Sequence, residues 1–177
     1  MAALGTAAAD FALPEVTTGK VVSRADASGP KGMLAMFICR HCPFVKHVQD
    51  ELASIGRDYA GSGVGIVAIS ANDETTHPED SPENLAAMAR ELGFSFPYLF
   101  DASQTVAKAY DAQCTPDFFL YDAKGTLVYR GQLDDSRPGN GIPVTGKDLR
   151  AALDALIAGR PISSEQRPSI GCNIKWR

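Results

Sequence analysis

The chain has 177 residues, of which 45% are hydrophobic and 21% charged, with 17 Lys plus Arg against 21 Asp plus Glu and a formal net charge of −4. The basic residues are outnumbered and scattered, which excludes a nucleic-acid-binding stripe, and no run approaches the roughly 20 apolar residues of a membrane span. A chain of this length buries about 68–70% of the surface its unfolded form exposes, so it needs no disulfide staples and its four cysteines are free for chemistry.

Met1 to Asp10 has no basic residue and no signal-peptide core, which gives a cytoplasmic expectation. In that compartment a close cysteine pair is more often catalytic or metal-binding than structural. The continuous apolar run Met33-Leu-Ala-Met-Phe-Ile38, bounded by Pro30-Lys-Gly32, predicts a buried central strand. Phe44, Val48, Leu52, Ile55 and Tyr59 then recur at helical spacing, with Lys46, Asp50, Arg57 and Asp58 on the other faces and Gly61 and Gly63 at the end. Val64-Gly-Ile-Val-Ala-Ile69 predicts a second strand parallel to the first, with Cys39-Arg40-His41-Cys42 at the turn between strand and helix. The polar loop Ser70 to Asp80 leads into a helix with Ser81 as cap, Pro82 in the first turn, Leu85, Met88, Ala89 and Leu92 on one face, and Gly93 as its stop. A short segment Tyr98 to Phe100, a small helix around Val106 to Tyr110, a hairpin of Phe118–Tyr121 and Leu127–Tyr129 about Asp122-Ala-Lys-Gly125, and a helix Asp148 to Ala158 follow. The order describes one α/β domain over residues 1–177, a mixed central sheet flanked by helices. It has an N-terminal extension, a helical insertion, and a proline-punctuated tail over 160–177 packing on it.

A Cys-x-x-Cys placed between a buried strand and a helix brings its sulfurs to the first helical turn, where free N–H groups and the helix dipole favour a thiolate. The reading is thiol-disulfide exchange, with Cys39 expected at the rim as the attacking sulfur and Cys42 one turn deeper as the resolving one. Arg40 and His41 add positive charge expected to tune both sulfurs toward thiolate. A structural zinc site is the competing use of the motif, but Cys114 and Cys172 are lone residues rather than a second knuckle. Asn72-Asp73-Glu74, Glu79-Asp80 and Asp134-Asp135 suffice as polar loops and caps without a cation. No metal and no cofactor is expected.

With Cys39-Arg-His-Cys42, Thr115-Pro116 and the flanking strands, the sequence resembles the redoxin branch of the thioredoxin superfamily. Phe37 to His47, Tyr129 to Ser136 and Gly171 to Trp176 resemble a peroxiredoxin-like, AhpC/TSA-related group of bacterial proteins. The resemblance implies a thioredoxin fold, and a cis Pro116 in a loop facing the dithiol, where Thr115 and Pro116 pair with an extended substrate. The sequence departs from thioredoxin in having Ile38 where a tryptophan is usual and no buried acid in the first strand, which leaves Lys46, Glu74, Asp134 or water as proton relay. It departs from peroxiredoxins in placing Cys42 at the peroxidatic position and Cys39 where a Thr is usual, with Arg130 as a second donor for peroxide.

The function expected is thiol-disulfide oxidoreductase, with thiol peroxidase or a non-catalytic redox-sensing module as alternatives. Its partners would be protein or small-molecule disulfides and thiols, peroxides in the alternative, and a thioredoxin- or glutathione-type reductant, with no nucleic acid and no membrane. Twelve extended residues reach roughly 40 Å, so the tail could return Cys172 to the active-site side with Trp176 anchoring it in an apolar pocket. Cys114 and Cys172 are then expected either as buried free thiols or as a second pair relaying oxidation to Cys39–Cys42.

Overall fold

The computed structural model describes residues 1–177. Two short strands, β1 (Ala12–Pro14) and β2 (Val21–Ser23), pair antiparallel ahead of the one-turn helix α1 (Arg24–Ala27). Ser23 caps α1 by accepting the Asp26 N–H while the Asp26 carboxylate accepts the Ser23 N–H. The central unit is β3 (Gly32–Phe37), α2 (Pro43–Asp58) and β4 (Val64–Ser70). Lys31 N–H donates to Gly63 C=O at one end and Ile38 N–H to Ile69 C=O at the other, so β3 and β4 lie side by side in the same direction.

A 3₁₀ turn, Pro78–Asp80, precedes α3 (Pro82–Leu92), which starts on the Ser81 cap and stops at Gly93 in the left-handed region, φ 65°. Next come β5 (Tyr98–Phe100), α4 (Thr105–Ala109), β6 (Cys114–Thr115), β7 (Asp117–Asp122), β8 (Leu127–Gly131), α5 (Lys147–Ile157) and β9 (Cys172–Asn173). β5 runs parallel to β4, and β7 is antiparallel to both β3 and β8. The mixed sheet order is therefore β5-β4-β3-β7-β8, the thioredoxin arrangement. No helix is long and apolar enough to cross a membrane.

The alternation of β3 divides the core. Leu34, Met36 and Ile38 face Val45, Val48, Leu52 and Ile55 of α2, with Leu85 of α3 and Leu149 and Leu153 of α5 on the same side. Met33, Ala35 and Phe37 face the opposite layer, built from α4 and the N-terminal segment, and Ile174 of the tail belongs to it. Each fully buried aliphatic side chain contributes about 1.5–3 kcal/mol, so these two layers fix the end of the central strand from which the cysteine turn departs.

The expected strands and helices lie where the hydrophobic pattern put them. The β1–β2 hairpin, α1 and the β6–β9 pair are additions. Trp176 does not anchor the tail: it is 43% exposed, with the Lys108 ammonium 5.4 Å from its ring centre. Ile174, 1% exposed, is the buried anchor.

Candidate active site

β3 ends at Phe37 and α2 begins at Pro43, so the turn Ile38–Cys42 projects from the carboxyl end of the central strand. Pro43 needs no N–H partner and presets the first helical φ, which makes Cys42 the cap residue of α2, with an extended backbone at φ −68° and ψ 125°. The turn is held from beneath by Asp80. Its carboxylate accepts Arg40 N–H (2.7 Å), His41 N–H (3.1 Å) and the Asn72 side-chain amide (3.0 Å), and also pairs with His41 Nδ1. Asp80 is 0% exposed. A carboxylate there is tolerated because its oxygens are occupied by donors. His77 stacks on His41 with ring centres 5.0 Å apart.

Opposite the turn stands Thr115, joined to Pro116 by a cis peptide bond. The Thr115 hydroxyl is 3.4 Å from Cys39 Sγ, and its carbonyl oxygen is 3.5 Å from Cys42 Sγ. Across β6 and β9, Thr115 pairs with Cys172 and Cys114 with Asn173. The Cys172 and Cys42 sulfurs are 2.7 Å apart, and all four cysteines are free thiols.

The two sulfurs of the dithiol have opposite environments. Cys42 is pulled down to about 4, first by the hydrogen bond from Cys39, against the cost of its burial, with Cys172 and Thr115 adding to the pull. Cys39 is pushed far up, by holding the proton it shares with Cys42, by burial, and by the Asp80 charge. The two sulfurs therefore share one proton, with the negative charge drawn toward Cys42 and the proton toward Cys39. Burial raises Cys172 to about 11 and Cys114 to about 12.

The AhpC/TSA family profile matches residues 4–130, more than half of the chain. The chain belongs to the AhpC/TSA family. It is 26% identical over 128 residues to the thiol-disulfide oxidoreductase ResA of Halalkalibacterium halodurans, covering 72% of this chain and 68% of that one. An uncharacterized conserved protein from Geobacillus kaustophilus has a crystal structure with TM-score 0.98 and 58% identity, covering 100% of this chain and 94% of that one. A thiol:disulfide interchange protein of the thioredoxin family from Chlorobium tepidum shares the fold at TM-score 0.66 and 18% identity, over 89% and 99% of the two chains.

Within this family member, the structure brings Cys39, Cys42, Thr115, Pro116 and Cys172 together and redistributes the rest. Both dithiol cysteines are 0% exposed, so the expected contrast between a sulfur at the rim and a deeper one is absent. The cause is the helix start: with Pro43 in the first turn, Cys42 caps α2 and Cys39 lies in the preceding turn against Thr115. Arg40 turns away, its guanidinium on Asn84 C=O (2.6 Å) and Glu91 (3.4 Å), and His41 is engaged by Asp80. The leading causes that lower Cys42 are neighbouring hydrogen bonds, not Arg40 or His41.

Arg130 is drawn to Ala2 C=O (2.8 Å) and Gln166 Oε1 (2.9 Å), which ties the N-terminus to the tail. Of the two alternatives for Cys114 and Cys172, Cys114 is a buried free thiol, while Cys172 is a partly buried one that faces Cys42 rather than Cys114, because neighbouring residues of a strand point to opposite faces. Lys46 pairs with Glu79, Glu74 with Arg177, and Asp134 with backbone N–H groups of Ser136, Thr145 and Gly146. Asp80 is the acid at the dithiol. Sequence reasoning set it aside as part of a polar loop, and its signal, an acid beside Ser81-Pro82, reads equally well as a helix-start feature.

Cys39 Sγ, a ring nitrogen of His41 and a carboxylate oxygen of Asp80 lie within 4.8 Å of one another, a donor set of the kind zinc takes. Each donor is already committed, His41 and Asp80 to one another and Cys39 to Thr115.

Proposed function

We propose that this protein is a thiol-disulfide oxidoreductase that works through the Cys39–Cys42 dithiol. What carries the reading is one thiolate and one thiol sharing a proton at the start of α2, facing the Thr115 edge. The Cys42 thiolate attacks one sulfur of an incoming disulfide, and the other sulfur leaves as a thiolate. Cys39 then gives up its proton and attacks Cys42 Sγ, which releases the second substrate thiol and leaves a Cys39–Cys42 disulfide. The Cys39 proton leaves on the departing substrate thiolate, with the Asp80 carboxylate within 4.8 Å of Cys39 Sγ. A thioredoxin- or glutathione-type reductant restores the dithiol. A thiolate stabilised this strongly favours the reduced form, so the potential is expected above the roughly −270 mV of thioredoxin.

The test is catalysed reduction of insulin disulfides by dithiothreitol. Acceleration by the wild-type chain that is lost in Cys42→Ser supports the reading, and no acceleration by the wild type overturns it.

Family membership and the low proton affinity of Cys42 favour one second reading, peroxide reduction at Cys42. Stopped-flow consumption of hydrogen peroxide far above that of a free thiol would establish it.

A further inference from the structure

We propose that Cys172 is a third redox-active sulfur: the tail strand docks on the Thr115 edge as the dithiol's internal partner and forms a disulfide with Cys42. The proposal deepens the dithiol reading above and rests on it. Pairing with an exposed edge is a general way for a fold to hold an extended peptide, with the main chain supplying register and the side chains specificity. Here β9 takes that place. Directly opposed residues share a face of an antiparallel pair, and the Thr115–Cys172 pairing carries the Cys172 sulfur to 2.7 Å from Cys42 Sγ.

The close approach is written into the residue before it. A Cβ at Gly171 would lie 2.0 Å from the Thr115 carbonyl oxygen, a separation no side chain tolerates. The two-residue strand is also clamped on both sides. Upstream, Gln132 N–H donates to Arg167 C=O (2.9 Å) and the Ser169 hydroxyl to Gly131 C=O (2.6 Å). Downstream, Ile174 is buried, Lys175 N–H donates to Asn72 Oδ1 (2.8 Å), and Asp73 N–H donates to Lys175 C=O (2.8 Å). Between these clamps Cys172 itself is only partly buried. A cysteine kept for packing alone has no need of this register.

The chemistry balances within the chain. Starting from the Cys39–Cys42 disulfide, the Cys172 thiol loses its proton and its sulfur attacks Cys42 Sγ. The Cys172–Cys42 bond forms, the Cys39–Cys42 bond breaks, and its electron pair leaves on Cys39, which takes up a proton. One disulfide and one thiol stand on each side, so no oxidant or reductant is consumed. The same tail covers Cys42 in the reduced protein, and an external disulfide reaches it when β9 lifts.

The test is disulfide mapping. Reduced protein is treated with a limiting amount of glutathione disulfide, quenched in acid, alkylated and digested. A Cys42–Cys172 crosslink with Cys39 alkylated is expected in the wild type, and in Cys39→Ser that crosslink should replace any lasting Cys42–glutathione adduct. Gly171→Val should lower the crosslink yield by about tenfold or more, as the effective concentration given by docking is lost. Only Cys39–Cys42 in the wild type, with a stable Cys42–glutathione adduct and free Cys172 in Cys39→Ser, overturns the inference and leaves the dithiol reading standing. An unchanged yield in Gly171→Val overturns the docked register. No disulfide between any cysteines overturns the inference together with the dithiol reading.

Discussion

The strand–helix unit β3–α2 and the tail from Arg160 to Arg177 meet at Cys42, yet they are held by different forces. β3 is buried along its whole length, and α2 adds Val45, Val48, Leu52 and Ile55 to the same layer, so the position of the dithiol turn is set by apolar area. The tail has two residues of strand and one deeply buried side chain, Ile174. The rest of its hold comes from separate polar contacts. Gln166 bonds to β8 at Val128 and Arg130, Lys175 to Asn72 and Asp73, and Arg177 to Gln104, Asp73 and Glu74. Contacts of that kind are individually worth about 0.5–1.5 kcal/mol, so they can open in part without unfolding the sheet. The site thus combines a rigid sulfur pair with a removable cover.

The sharpest break of this comparison is at the sulfurs. Cys42→Ser should abolish attack on a small aromatic disulfide, a loss of at least about a thousandfold in rate, whereas Cys39→Ser should retain the attack and hand the second step to Cys172. Equal losses in both single variants would mean that the two sulfurs are interchangeable. Next come the two modes of holding. Leu52→Ala should cost about 2–5 kcal/mol of global stability, read as a lower urea midpoint with the slope unchanged. Ile174→Ala should lower the midpoint less and raise the alkylation rate of Cys42 by iodoacetamide. A larger midpoint loss for Ile174→Ala, with Cys42 still protected, would show that the tail is part of the global fold rather than a cover.

Asp80→Asn sharpens the rigid side. Asp80 raises the proton affinity of Cys39 through its charge, so removing that charge should make Cys39 easier to ionise while Cys42 moves less, as the alkylation rate of each sulfur across pH, resolved by peptide mapping, would report. The smallest effect is a pH slope at Asp117, next to Pro116. Burial lifts its carboxyl to about 6 from an ordinary 3.8. A folded-state value raised above the unfolded one means that the native state binds the extra proton. Its contribution is therefore present below the unfolded value and lost as pH rises through about 6. Asp117→Asn should flatten the fall in stability across that window, as urea midpoints at successive pH values would report.

What the sequence disclosed follows the same division. Met33 to Ile38 and Val64 to Ile69 are continuous apolar runs, and such runs are buried on both faces wherever they pair, so β3 and β4 were legible from composition alone. The helical spacing from Phe44 to Tyr59 located α2 for the same reason. β9 was not legible, because two residues carry no period and their pairing with Cys114 and Thr115 is fixed by the clamps around them. The expected contrast in depth fails because helical phase does not extend to Cys39, four residues ahead of a helix that Pro43 starts. Trp176 misled through its size: the last turn of the tail buries Ile174 and leaves the indole outside, over Lys108. The tuning expected of Arg40 and His41 is absent because both side chains are engaged elsewhere, Arg40 by Asn84 C=O and Glu91 and His41 by the buried Asp80.

The most direct test of the central claim, that the site holds a thiolate on Cys42, is the ultraviolet thiolate absorbance of the reduced protein across pH, in the wild type and in Cys42→Ser. The expected result is one thiolate present at neutral pH that is lost with a midpoint near 4, and the absence of that step in Cys42→Ser. A first ionisation near the ordinary thiol value of 9.0, or a low-pH step that survives in Cys42→Ser, would contradict it.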